Sequence, residues 1–490
     1  MLGQSLYCPD HRNTTERRHR YDWIVILLIA AIALCCGWIY RNFAQDDAFI
    51  TYRYARNIAS GYGFVYNLNE PVLGTTTPLY TLALALFGKL SGQDIRLISH
   101  LISVLSLWIS GVVLYYLGKE GGIPQAVAIA LVFVSNPLLI SAIGMETLFL
   151  IAILLLALKS YVDEKFYLAG VLLGCLILTR YETTLFAGLL GLHFLLRHRK
   201  LPVWLASTLA LSTIWIIFAW YTFGSVIPQS ALAKVTVLTS GDGYPFYLGA
   251  IIWWLVYSTQ TAWYYVLLPL ALLGGYLAFR SKRREQGYVL ILAWSGLYFV
   301  AASLIAGSFS WYYGPLIPGF AILLVWGIEF LARLVSRLFS QFHFDVRWVQ
   351  TFYVIVFVLM TFGIVILQIS SWTKGWVNYR GQIVDSRYIQ YREVAKWLDR
   401  YASRDETLAT REIGVLGYYA GMEIIDLYGL VTPDLTSWLA HGDAEALRKA
   451  VELYAPDYLL VDQNEPVDKS LGYEPTQRFR EGTYILYRKK

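Results

Sequence analysis

A few ionisable residues of this otherwise apolar chain stand at spacings that suit chemistry. Two adjacent carboxylates, Asp46 and Asp47, open the stretch QDDAFITYRYARNIA directly after an apolar run. Paired carboxylates beside lipid are costly unless cations or a substrate proton are at hand. If a helix begins there, Asp46, Arg53 and Asn57 fall within about 20° of one line, because eleven residues make close to three turns. One face then carries an acid, a cation and an amide. Such a face suits a hydroxyl nucleophile that must lose a proton beside an anionic donor, and it favours Asp46 over Asp47 as the proton acceptor. The plain alternative is capping, in which one aspartate accepts backbone N–H bonds at the positive end of the helix dipole, for about 1 kcal/mol.

Four further charges interrupt apolar runs. Glu146 stands in GMETLFL, Arg180 and Glu182 in LTRYETTLF, and Lys234 in IPQSALAK, where Gln229 precedes it. Each has an ordinary explanation: a first-turn acid for Glu146, a snorkelling pair for Arg180 and Glu182, and a solvated loop lysine for Lys234. The alternative for Lys234 is a point charge that binds phosphate. Trp311, Tyr312 and Tyr313 in SWYYGPLIPG fit an aromatic belt at a membrane interface, although such faces also stack on sugar rings. The seven histidines show no pairing at metal spacing, and the four cysteines (Cys8, Cys35, Cys36, Cys175) lie in the N-terminal tail or in apolar runs. Neither a disulfide framework nor a zinc site is indicated.

The elements that must position these residues are membrane helices. Of 490 residues, 57% are hydrophobic and only 15% charged, with a mean hydropathy of +0.49. That is too apolar for an ordinary soluble protein, so the chain reads as a polytopic membrane protein, and nucleic-acid binding is excluded. The net charge of +6 reports topology first. Apolar segments lie at about 23–40, 73–91, 97–118, 124–141, 147–161, 166–179, 184–196, 203–222, 262–279, 287–306, 314–336 and 349–369. The second opens with GTTTP, which leaves about 13 apolar residues, so it reads as a helix lying on the outer surface. Omitting it as a span places RHRK (Arg197 to Lys200), RSKRR (Arg280 to Arg284), Lys119, Lys159, Lys165, Arg333 and Arg337 together on the cytoplasmic side.

The reading is therefore about eleven spans, with the N-terminus and its arginines (Arg12, Arg17, Arg18, Arg20) inside and the C-terminus outside. Residues 1–22 form a cytoplasmic tail without a cleavage site, 23–369 a transmembrane module with a first outer loop at 41–96, and 370–490 an outer domain. Every polar oddity then lands on the outer face. The outer domain is expected to be a small α/β unit: helices at YREVAKWLDRYA and DAEALRKAVELYA, a helical turn at GVLGYYAG, and strands at TLAT, EIIDL, DYLLV and YILYR. It contains no glycine-rich phosphate loop, nucleophile elbow or metal-ligand cluster.

As an ordered set, QDDAFITYRYARNIASGYGFVYN, GTTTPLY, GMETL, LTRYE, FGSVIPQSALAKV and GVLGYYAGMEIIDLYGL resemble the polytopic glycosyltransferases of the C fold class. The likeness is strongest to the bacterial branch of arabinofuranosyltransferases, with the aminoarabinose and protein O-mannosyl transferases more distant. The resemblance implies a cell-membrane enzyme that takes a sugar such as arabinofuranose or mannose from a polyprenyl-phosphate carrier. It would transfer that sugar, with inversion, to a hydroxyl of a cell-envelope glycan, lipid or protein. It implies Asp46 or Asp47 as general base, and Glu146, Arg180, Glu182, Gln229 and Lys234 about the donor's phosphate or sugar, a set to which the residues themselves add Arg53 as a second phosphate cation and Trp311 and Tyr312 as sugar-stacking rings. Tyr181 stands where the family carries proline. The resemblance leaves a divalent metal ion open, with Asp46, Asp47 and Glu146 as its ligands if one binds. Competing readings are a transporter or flippase of lipid-linked sugars, or a non-catalytic envelope scaffold. Transport ordinarily places polar groups near the membrane midplane, whereas here they gather on one face.

Overall fold

The computed structural model describes residues 22–68, 70–239, 245–251, 264–280, 285–305, 307, 309–342, 345–372, 377–379, 382–384, 386–439, 441–465, 467–479 and 484–490. The tail arginines, Cys8, His11, His19, His343 and residues 281–284 of the RSKRR cluster lie outside the described residues.

The helices are α1 (Asp22–Ile39), α2 (Asp46–Ala59), α3 (Pro78–Ser91), α4 (Ile95–Gly118), α5 (Ile123–Val134), α6 (Glu146–Val162), α7 (Phe166–Ile177), α8 (Thr184–His198) and α9 (Ala206–Phe223). They continue with α10 (Gln229–Thr239), α11 (Tyr264–Arg280), α12 (Gln286–Ile305), α13 (Ile317–Ser340), α14 (Val346–Ser370), α15 (Ser386–Tyr401), α16 (Val415–Ala420) and α17 (Asp443–Tyr454). Among the described residues, six helical segments are long and apolar enough to cross a membrane: Asp22–Ile39, Ile95–Gly118, Val203–Phe223, Gln286–Leu304, Ser310–Ser340 and Val346–Ser370. The other expected spans are shorter helices, 12 residues in α5 and α7 and 17 in α6. Helix α3, with 14 residues, reaches about 21 Å, less than the hydrocarbon of a bilayer.

Local signals set the helix ends. Asp94 caps α4 by accepting the Arg96 N–H at 3.0 Å, and Asp345 caps α14 through the Arg347 N–H at 2.9 Å. The bundle has two chemically distinct ends. At one, Lys119 pairs with Asp22 at 2.6 Å, Arg333 with Glu329 at 2.6 Å, and Arg197 donates to Gln286 at 2.5 Å. The starts of α2 and α6 and the turn after α7 gather at the other. The basic loops and the candidate chemistry are therefore separated by the thickness of the bundle.

Strands β1 (Val377–Tyr379) and β2 (Gln382–Val384) form a hairpin, and β3 (Thr407–Thr410), β4 (Glu423–Asp426), β5 (Tyr458–Asp462), β6 (Tyr473–Arg478) and β7 (Tyr484–Lys489) form a five-stranded sheet in the order β4-β3-β5-β7-β6. Strand β3 runs parallel to both neighbours, with Ala409 opposite Ile425 and Leu459, and β7 runs antiparallel to β5 and β6. One sheet face packs on α17 through Leu459, Val461 and Ala450. The other shares a core with the first outer loop: Phe49, Tyr52 and Tyr54 of α2 pack in one cluster with Leu416, Ile424, Tyr458 and Leu486. Phe49 is fully buried, with the Tyr418 and Tyr419 rings 5.5 and 5.8 Å away. Burial of this side chain contributes about 2 kcal/mol to the seam. The seam fixes how α2 presents its acids.

Candidate active site

Helix α2 begins at Asp46 itself, and its N-cap, Gln45, makes no side-chain capping bond, its amide donating instead to the Ser141 carbonyl at 2.8 Å. Capping therefore does not account for Asp46, whose Oδ1 accepts the Val415 N–H of the outer domain at 2.8 Å. Gly414 makes this approach possible, because a Cβ there would lie 2.1 Å from the Asp46 carbonyl oxygen and 2.4 Å from its Oδ2. Asp46 is buried, and burial, with Glu412 next in weight, pushes its carboxyl up to about 8. Glu412 is itself raised, chiefly by burial, while accepting the Tyr484 hydroxyl at 3.2 Å. An acid with this environment stays protonated at rest and is a competent base once ionised.

Asp47 faces elsewhere. Its Oδ2 lies 3.2 Å from Lys234 Nζ, which α10 brings across from 187 residues away in sequence. The lysine also sits over the rings of Phe309, at 5.1 Å, and Tyr312, at 6.0 Å. Burial alone would lower the ammonium's pKa, but Tyr312 and Asp47 together raise it, so Lys234 is a fixed cation. The solvated-loop reading of Lys234 is thereby corrected.

Tyr312 links this pair to a second cation, with its ring 4.7 Å from the Arg180 guanidinium. Arg180 holds Glu146 at 2.8 Å through Nη1 and Glu182 at 2.8 Å through Nε. Glu146 reaches this position because Gly144, at φ +88°, turns the chain into α6. The Gly144 carbonyl accepts the Tyr52 hydroxyl at 2.6 Å and the Ser99 hydroxyl at 2.7 Å, and its N–H donates to Ser103 at 3.0 Å. Glu146 is buried, Arg180 nearly so and Glu182 half-buried, and Arg180 is held between its two carboxylates rather than snorkelling at the surface. Nor are the aromatics a membrane belt: Trp311 and Tyr313 are buried, and the Tyr313 hydroxyl donates to the Phe246 carbonyl at 2.7 Å. Tyr181, at the position where proline was expected, opens a short 3-10 turn and accepts the Trp215 N–H at 2.8 Å.

Two expected donor ligands serve the seam instead. Arg53 does share the Asp46 face, but that face packs on the outer domain: it donates to the carbonyls of Tyr66 (2.9 Å), Gly417 (2.6 Å) and Met422 (2.9 Å) and to Asn67 Oδ1 (3.1 Å). Four of its N–H donors are thus committed, and it lies 4.2 Å over the Tyr66 ring, which leaves little to offer a phosphate. Asn57 on the same face donates to the carbonyls of Val65 and Tyr66 at 2.9 and 3.0 Å. Gln229 donates to the Gly429 carbonyl at 3.1 Å and to the Thr436 hydroxyl at 2.7 Å, so it ties α10 to the outer domain. The sequence reading missed Glu412, whose only signal is its place two residues ahead of the turn GVLGYYAG, and it read Gly414 as the opening glycine of that turn without the approach to Asp46. Among the described residues, no three His, Cys, Asp or Glu side chains converge as metal ligands, and Asp47 and Glu146 are each engaged by a cation.

Solved structures share this arrangement of bundle and outer domain. ArnT from Cupriavidus metallidurans, solved bound to undecaprenyl phosphate, superposes with a TM-score of 0.58 over 96% of this chain and 98% of that one, at 13% identity. This is the fold of the C-class membrane glycosyltransferases. A second member of that class, the arabinofuranosyltransferase AftD from mycobacteria, aligns with a TM-score of 0.51 and 15% identity over 96% of this chain and 40% of its own. By sequence, the chain is 27% identical to a terminal beta-(1->2)-arabinofuranosyltransferase of Mycobacterium tuberculosis, over 42% of this chain and 38% of that protein. The alignment thus spans less than half of either. A family model described as a domain of unknown function (DUF8728) matches residues 377–488, the outer domain. The fold and its apolar helices make the chain a multi-pass membrane protein.

Proposed function

We propose that this chain is an inverting glycosyltransferase that moves a sugar, arabinofuranose, mannose or similar, from a polyprenyl-phosphate donor to a hydroxyl of a cell-envelope glycan, lipid or protein. The reading takes about eleven spans, a cytoplasmic N-terminus, and a site and outer domain (370–490) on the outer face of the cell membrane. One observation carries it: a buried acid of raised pKa, Asp46, adjoins the Asp47–Lys234 pair at the bundle end opposite the basic loops. The similarity to an arabinofuranosyltransferase supports the sugar class.

In this reading the acceptor oxygen attacks the anomeric carbon while the bond from that carbon to the phosphate oxygen breaks on the opposite face. The hydroxyl proton passes to the carboxylate of Asp46, and the leaving phosphate takes both bonding electrons. Asp47 aims Lys234, whose ammonium stabilises the phosphate charge, with Arg180 held behind Tyr312 as a second positive pole. A single displacement needs one base and no covalent enzyme intermediate, which is why the outcome is inversion. No step is assigned to a metal, because Asp47 and Glu146 are already committed to cations. The donor's lipid tail explains why the acids sit where α1 ends.

Transfer of radiolabelled sugar from a synthetic polyprenyl-phosphate donor tests the proposal. Asp46→Asn should abolish transfer and Asp47→Asn should reduce it by at least tenfold. Undiminished transfer by both variants would sink the assignment.

A further inference from the structure

One buried acid has no part in the catalytic scheme. Asp426, the last residue of β4, has no exposed surface, and among the described residues no cation pairs with it. A carboxylate taken out of water without a counter-ion is costly, so its hydrogen bonds must account for it. They go to one loop. Oδ1 accepts the Tyr428 N–H at 2.9 Å and Oδ2 the Val431 N–H at 3.0 Å, while the Asp426 carbonyl accepts the Gly429 N–H at 2.9 Å and its own N–H donates to the Thr432 hydroxyl at 2.9 Å. Gly429, at φ +69°, lets the chain close in this way. Residues 427–432 are thus wound around a negative charge.

The wound loop grips the catalytic module at two points. The Gly429 carbonyl, whose direction the Asp426 bonds fix, accepts the Gln229 side-chain amide at 3.1 Å, and the Thr436 hydroxyl accepts from the same amide at 2.7 Å. Leu430 and Val431 close over Gly74, where a Cβ would lie 3.0 Å from the Leu430 carbonyl oxygen and 2.6 Å from Val431 Cγ1. Beside that glycine, the Leu73 carbonyl accepts the Gln229 N–H at 2.8 Å. Gln229 is therefore held twice, by the loop through its side chain and by the segment under the loop through its backbone. It is the first residue of α10, and Lys234 follows about 7.5 Å further along the axis.

We propose that Asp426 is a positioning residue for Lys234: its carboxylate shapes the loop, the loop holds Gln229, and Gln229 sets where α10 delivers the ammonium. What the ammonium then does to the leaving phosphate rests on the glycosyl-transfer reading. Asp426→Asn isolates the charge, because an asparagine amide fills the same space but turns its own N–H donors toward one of the loop N–H groups. Gln229→Leu cuts the link and spares the loop.

The test is a double-mutant cycle with Lys234→Gln in the full-length protein in detergent, read by sugar transfer from a synthetic polyprenyl-phosphate donor and by hydrogen–deuterium exchange of α10. Asp426→Asn and Gln229→Leu should each lower kcat about tenfold when Lys234 is present and leave it nearly unchanged in the Lys234→Gln background, where there is no ammonium left to misplace. A purely structural role gives the same factor in both backgrounds, and that result overturns the proposal. Both variants should also speed exchange of the α10 amides about tenfold while those of α17 exchange as in wild type. Exchange of α10 at the wild-type rate overturns it too. Full transfer by Asp46→Asn would instead overturn the catalytic reading, and α10 exchange would still decide the role of Asp426.

Discussion

Arg53 provides the sharpest test of the seam, because its two roles predict opposite outcomes for one conservative change. Arg53→Lys keeps the positive charge but replaces a planar fork with a single ammonium. The guanidinium makes four hydrogen bonds, three of them to backbone carbonyls and two reaching the outer domain at Gly417 and Met422. A hydrogen bond to a charged group contributes roughly 1.5–3 kcal/mol, and lysine recovers about one of the four while leaving buried carbonyls unpaired. Discounting for relaxation, the loss is about 3 kcal/mol, on the order of a hundredfold in the opening equilibrium of the seam. Limited proteolysis reads this directly, since cleavage tracks the open population when reclosing is fast. The 370–490 fragment should therefore be released about a hundredfold faster from Arg53→Lys than from wild type. Unchanged release, with KM for the polyprenyl-phosphate donor raised instead, would return Arg53 to the donor and refute the seam.

The remaining predictions concern the site itself. Burial keeps Asp46 protonated up to about pH 8, so kcat/KM should fall about tenfold per unit as pH drops below that value; a flat profile between pH 6 and 8 would remove Asp46 as the base. The same raised value has a stability consequence: the native state holds a proton that the unfolded chain releases near 4, so this contribution is present at low pH and is lost as pH rises through about 8. Thermal unfolding of Asp46→Asn should accordingly fall less between pH 5 and 8 than that of wild type. Arg180→Gln strands Glu146 as an unpaired buried charge at a cost of about 3–5 kcal/mol, which adding Glu146→Gln should partly restore, as thermal melts in detergent would show. Gly414→Ala should depress kcat at least tenfold with donor KM little changed, because the added methyl meets the Asp46 carboxylate; wild-type kcat would show that this contact is not needed.

The sequence carried most of what depends on short-range pattern. The amphipathic helix of YREVAKWLDRYA, the strand TLAT and the turn GVLGYYAG all occur within about five residues of their expected bounds, at Ser386–Tyr401, Thr407–Thr410 and Val415–Ala420. Strand β6 was not legible, because Pro475 interrupts YEPTQR; the chain accommodates it at the sheet edge beside a register shift. The gathering of Glu146, Arg180 and Lys234 at one end of the bundle followed from the parity of basic loops, with no contact known. What single-helix geometry could not supply was the partner of each face. The line joining Asp46, Arg53 and Asn57 was real, but Asp46 and Arg53 are met by residues 415–422, more than 360 positions away, and Asn57 turns back to the carbonyls of Val65 and Tyr66 in its own loop. Periodicity reports which side chains travel together and is silent on what meets them.

Gln229 marks where the two halves of the molecule exchange mechanical constraint. Its backbone N–H donates to Leu73 at 2.8 Å, while its side chain holds Gly429 and Thr436, and five residues later the same helix delivers Lys234 to Asp47. The C-terminal domain is consequently a jig for Lys234, the lysine proposed to meet the donor phosphate. A chimera that grafts another outer domain onto this bundle must import residues 46–77 and 229–234 with it, or the ammonium will be misaligned however well each half folds. Evolution faces the same constraint, so these three segments should drift as one unit.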